Sequence, residues 1–136
     1  MTDTELLERF EDATLPSAEF HHREHVRVAW LYLERHPPLQ ALERFTRSLR
    51  RFALAHGSPG LYHETITWAF VFLIQARRAD APAGESWEGF AARNPDLLTW
   101  KPSILERYYS QETLRSELAR RVFLLPERGE SEALRT

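Results

Sequence analysis

Apolar residues recur every three or four positions through most of this chain, and proline or glycine stands wherever the pattern lapses. That period matches the 3.6-residue turn of an α-helix and not the two-residue alternation of a half-buried strand. Residues 3–12 place Leu6, Leu7 and Phe10 on one side, behind a threonine (Thr2 or Thr4) able to cap the helix. A second helix starts at residue 21 or 22 and carries Val26, Ala29, Trp30 and Leu33 inward. It ends at residue 35, because the prolines that follow push the backbone out of the helical region. A third covers 39–55 with Leu42, Phe45, Leu49, Phe52 and Ala53 inward, and "HGSPG" stops it.

Residues 61–78 form a fourth helix whose centre, "ITWAFVFLI", is apolar nearly all round. Such a helix is buried on most sides, so it is expected to be the central one, with Phe70 and Leu73 among the most buried residues. Ser86 caps a short helix that runs to residue 92. "NPDLLTWKP" is irregular or a single turn, 102–108 is another short helix, and Ser110 caps a last helix over 111–121. "VFLLP" reads as an extended tail laid on the body, since a lone strand has no partner. The expectation is an all-α, single-domain bundle of five or six helices over residues 1–126, followed by a frayed polar tail at 127–136.

A length of 136 residues suits one core. No cysteine is present, which removes disulfides, thiolate metal ligands and cysteine nucleophiles together. A net charge of −2 lacks the basic excess of a general nucleic-acid binder. Lys101 is the sole lysine, an arginine preference that GC-rich coding explains without invoking anion binding. The opening "MTDTELLERFED" has neither the basic nor the apolar region of a signal peptide, and no apolar run approaches the roughly 20 residues of a membrane span. A soluble cytoplasmic protein is expected.

The chemistry concentrates in "FHHREHVRVAW", which holds three of the six histidines. His22 and His25, three apart, share the face that continues through Val26, Ala29 and Leu33, while His21 is turned away. The positive end of the helix dipole disfavours an imidazolium there, so these rings are expected to be neutral, the form that binds metal or accepts a proton. His63 in "LYHETIT" falls on the first turn of the fourth helix, in line with Ile66, Phe70 and Leu73. Glu64 follows it, about 100° round the helix, where it suits a supporting carboxylate or a proton acceptor better than a ligand of the same ion.

Should the two helix starts meet, His22, His25 and His63 would leave an open position on zinc, iron or another first-row divalent metal. A metal-free polar network of His22, His25, His63, Glu64 and Thr65 explains the same residues, as does a metal-free small-molecule pocket that uses them as acid and base.

"FHHREHVRVAWLYL", "LYHETITWAF", "NPDLL" and "RYYSQETLRSELARRVFLLPE" together resemble a family of short bacterial all-helical proteins of uncharacterised function, over most of residues 20–126. Its pattern runs F-x-H-x-x-H, then Y-H-E-T-x-T, then Y-S with A-R and a late proline. The resemblance implies that Phe20, His22, His25, Tyr62, His63, Glu64, Thr65, Thr67, Tyr109, Ser110, Ala119, Arg120 and Pro126 are the motif positions. It brings no settled activity with it.

The leading expectation is a small helical metalloprotein, with His22, His25 and His63 as ligands and Glu64 as base or supporting carboxylate. Tyr109 and Arg120 would orient a small organic substrate. The alternative is a non-catalytic binding or interaction module built on a histidine–carboxylate network. A third reading, nucleic-acid association through Arg44, Arg47, Arg50 and Arg51, is weaker than a solvated face. The partner expected is a small-molecule ligand, with neither nucleic acid nor membrane.

Overall fold

The computed structural model describes residues 1–128, and these are all-helical: no strand occurs among them. Helix α1 spans Asp3–Glu11. The Thr2 hydroxyl accepts the Glu5 N–H while the Glu5 carboxylate accepts that of Thr2, so two otherwise orphaned donors are satisfied reciprocally. Its apolar side, Leu6, Leu7 and Phe10, is buried. A 3-10 turn at Ser17–Glu19 leads into α2, His22–Arg35, whose C-terminus lies just before the two prolines. Helix α3 begins on the second of them and runs Pro38–Ala55, using the proline where a missing N–H does no harm.

A second 3-10 turn, Pro59–Leu61, precedes α4, Glu64–Ala79. The fourth helix thus begins later than the apolar pattern alone implies. His63 is its N-cap rather than part of its first turn. Ser86 caps α5, Trp87–Arg93, and Pro95 opens the single turn α6, Pro95–Leu98. Residues Ile104–Arg107 form a 3-10 turn where a short α-helix is expected.

The expected last helix is broken in two: α7, Gln111–Arg115, and α8, Glu117–Arg121. Ser116 adopts an extended conformation between them, and its hydroxyl accepts the Ala119 N–H. A serine free to hydrogen-bond backbone competes with helix continuation and restarts the helix as a new cap. The described residues therefore hold eight α-helices, several of a single turn, instead of five or six.

The central helix is α2, not α4. Helix α2 packs against α1, α3, α4 and α6, and Val26 and every residue from Val28 to Leu33 are buried. Helix α4 buries Phe70, Val71 and Ile74, but Leu73 is only half-buried and Phe72 is 45% exposed. Its all-round apolar character has another cause. The extended segment after α8 lies on its outer side, where the Phe123 ring stacks on Trp68 at 5.2 Å and meets Phe72 edge-on at 5.5 Å.

Buried Thr65 holds that segment. Its hydroxyl donates to the Val122 carbonyl at 2.8 Å and accepts the Leu124 N–H at 3.1 Å. The expected tail is thus docked on the body through Val122, Phe123 and Leu124, while Leu125 is exposed. It is also tied beyond Pro126: the Glu127 carboxylate accepts the Ser110 N–H, and Arg128 donates to the Glu106 carbonyl. The remainder of the expected frayed tail, 129–136, lies outside the described residues. No helix among the described residues is long and apolar enough to cross a membrane.

Candidate functional site

Helices α2, α3 and α4 do not close completely on one another. Between them lies a cleft of about 520 Å³, within the size range of small-molecule sites. Its walls are mostly apolar: Val26 and Ala29 from α2, Phe45, Leu49, Phe52 and Ala53 from α3, and Ile66, Phe70 and Ile74 from α4. Two alanines on inward faces, Ala29 and Ala53, leave volume that a larger residue would fill. Trp100, 47% exposed, stands at the rim against the His22 ring.

His22, His25 and His63 all line this cleft, and His21 does not. His21 is exposed at the N-cap of α2. The three rings nevertheless do not make a metal centre. Among the described residues no group of three histidine, aspartate, glutamate or cysteine side chains is placed to hold a metal ion. The metalloprotein expectation is therefore corrected, and the hydrogen bonds give the reason.

His63 uses both ring nitrogens for folding: Nδ1 accepts the Ile66 N–H at 3.1 Å, and Nε2–H donates to the Leu114 carbonyl at 2.7 Å. That fixes the neutral tautomer and leaves no lone pair for a metal. His22 Nε2–H donates to the Leu97 carbonyl at 2.8 Å, tying α6 to α2. Only His25 keeps both nitrogens clear of protein hydrogen bonds among the described residues. Its ring lies flat on Phe20, with centroids 3.9 Å apart.

Burial favours the neutral form of all three rings. It lowers the pKa of His22 against the opposing Leu97 hydrogen bond. It lowers His63 likewise, with the nearby Arg120 charge acting in the same direction. For His25, burial and then the neighbouring His22 bring the value down to about 4. The expectation of neutral imidazoles holds, but desolvation rather than the helix dipole is the leading cause.

The expected catalytic residues separate. Glu64 lies outside the cleft lining and is occupied structurally: its carboxylate accepts the Tyr62 hydroxyl, the Trp68 indole N–H at 2.9 Å and an Arg50 N–H at 2.7 Å. Tyr109 is 1% exposed and also off the cleft. Its hydroxyl donates to the Leu124 carbonyl, and burial pushes its pKa up to about 12. Arg120 alone of the three lines the cleft.

Of the other motif positions, Phe20, Tyr62 and Thr67 line it too, while Thr65, Ser110 and buried Ala119 hold the surrounding elements. The α3 arginines are exposed, as a solvated face requires. Arg47 pairs with Glu43 on its own helix, Arg50 with Glu64, and Arg51 donates to the Glu11 carbonyl.

The sequence reading missed the aromatic walls as walls, taking Phe45, Phe52 and Phe70 for closed core. It also missed the Arg77 clamp. Arg77 donates to the buried Asn94 at 2.8 Å and to both oxygens of Asp96, joining α4 to α5 and α6. The "NPD" triplet carried that signal, since a buried asparagine and an aspartate flanking a proline turn demand donors.

No protein-family model matches the chain, and neither a curated protein nor a solved structure matches it significantly.

Proposed function

We propose that this protein is a metal-free small-molecule-binding protein whose ligand occupies the cleft between α2, α3 and α4. The observation that carries the reading is an open cleft of about 520 Å³ with apolar walls, into which a neutral, hydrogen-bond-free imidazole, His25, is built. Few polar groups in a mostly apolar hollow are the ordinary composition of a ligand site. A core arranged for stability alone closes to crystal-like density.

Binding is favoured over acid–base catalysis. At about 4, the His25 pKa makes it a weak base at neutral pH. The Thr67 hydroxyl is committed to the His63 carbonyl and that of Tyr62 to Glu64. Among the described residues no hydroxyl is hydrogen-bonded to the imidazole of a cleft histidine, so the nucleophile–base pair of covalent catalysis has no counterpart. Positions from all three resembling motifs converge on this one cleft, which supports a ligand role for them.

Thermal melting of the full chain with 2-naphthol or 2-naphthamide tests the reading. A probe at 100 times its dissociation constant should stabilise the fold by about 2.7 kcal/mol and raise the melting temperature accordingly. Ala53→Trp places an indole in the cleft from a partly exposed wall position and should abolish the shift. An equal shift in Ala53→Trp, or none with any naphthyl probe in the unsubstituted protein, would sink the proposal.

A further inference from the structure

We propose that the ligand class is the organic monocarboxylate, its apolar body lying between α2, α3 and α4 and its carboxylate on the Arg120 guanidinium. This rests on the small-molecule reading above and deepens it.

Arg120 is the one lysine or arginine among the cleft-lining residues. Its Nη1 donates to the Gly60 carbonyl at 2.5 Å, which steers the side chain across the cleft mouth from α8 toward the 59–61 turn. Its Nε and Nη2 donors make no hydrogen bond among the described residues, and no carboxylate there forms a salt bridge with it. The Glu64 carboxylate is taken by Arg50, which also lies over the Tyr62 ring at 4.7 Å.

A guanidinium with donors to spare beside an apolar hollow is matched by a planar carboxylate, which accepts two parallel N–H bonds. No aspartate or glutamate lines the cleft to repel one.

The charge balance sets the number of negative charges. His22, His25 and His63 are all held below the ordinary histidine range by burial, so they add no second positive charge at neutral pH. Arg120, the one arginine or lysine of the lining, balances one anion. A phosphate dianion would bring an uncompensated charge into an apolar site, which is strongly unfavourable. The neutral imidazole of His25 remains a donor or acceptor for a polar group on the ligand body, and Phe20, Phe52, Phe70 and Trp100 supply flat apolar contact.

Calorimetric titration of the full chain at neutral pH with 2-naphthoate, its neutral isostere 2-naphthamide and 2-naphthyl phosphate tests the assignment. The carboxylate should bind at least about tenfold more tightly than the amide, as a desolvated charge-assisted pair implies. Arg120→Gln should erase that preference by weakening 2-naphthoate alone, and Arg120→Lys should restore part of it. Equal affinities for acid and amide overturn the ligand class while leaving the small-molecule reading intact. That comparison needs only the unsubstituted protein, so poor folding of a variant does not shelter the proposal. Survival of the preference in Arg120→Gln, or tighter binding of the phosphate than the carboxylate, also overturns it. Failure of all three probes to bind overturns both readings together.

Discussion

His25 is held neutral by the surroundings that make the cleft, and this ties one residue to the stability of the whole. Its pKa is brought from 6.5 down to about 4 on folding. The unfolded chain therefore takes up a proton between those values while the native state does not. Stability is lost as pH falls through that window and is fully present above it. A shift of this size corresponds to roughly 3–4 kcal/mol, reduced by whatever water enters the cleft. Chemical denaturation across pH 7 to 4 should show the slope, and His25→Gln should flatten it. His22 and His63, lowered in the same direction, maintain part of it. An acid limb of identical slope in His25→Gln would mean that the ring is hydrated in the native state.

Among the elements, the short helices α5 and α6 depend on their tertiary contacts, because isolated helices of so few residues are unstable in water. Helix α6 is held by His22 at the Leu97 carbonyl and by Arg77 on Asp96, whose carboxyl is kept below its usual range chiefly by that Arg77 hydrogen bond. Leu97 itself is fully buried. Asp96→Ala leaves a half-buried guanidinium with Asn94 as its remaining side-chain partner in the clamp, and should lower stability by about 1–3 kcal/mol. The readout is the urea midpoint. Hydrogen exchange should place the loosening in α5 and α6, with α1 and α3 unaffected. A loss spread evenly over the chain would show that the clamp is not local.

At the scale of the molecule, one apolar interior serves two purposes. Phe10 lies in its closed part, fully buried, with the rings of Phe20, Phe45 and Phe52 within 5.0–6.2 Å. Phe70 faces the cleft and meets the His22 ring at 4.9 Å. Truncating Phe10 to alanine opens a new cavity and should destabilise by about 3–5 kcal/mol, whereas Phe70→Ala enlarges an existing one and should cost less. Equilibrium unfolding of the two variants decides it. Equal losses would mean that the cleft closes in solution.

Much of the helical framework was legible in the chain itself, because it depends on neighbours in sequence. The apolar period, the caps at Thr2, Ser86 and Ser110, and the proline at the start of α3 act within one or two turns. The exclusion of His21 from the cleft followed from the same local geometry, whereas the lowered pKa values of His22 and His25 come from burial between helices. Where local reasoning failed, a distant group decided. The fourth helix was read as central because nothing in its own residues tells a core face from one covered by residues 122–124.

The fate of the histidines was decided in the same way. Whether an inward imidazole binds metal depends on where its nitrogens find partners, and His63 finds the Leu114 carbonyl 51 residues along the chain. His22 finds that of Leu97, 75 residues along. A buried carbonyl needs a donor wherever the chain brings one near, so these pairings arise only when the helices dock. The sequence by itself determined the helical class, the caps at Thr2, Ser86 and Ser110, and the inward sides of α1, α2 and α3. Tertiary structure alone decided which helix is central, which imidazole is left unpaired, and that the helices enclose a cleft in place of a closed core.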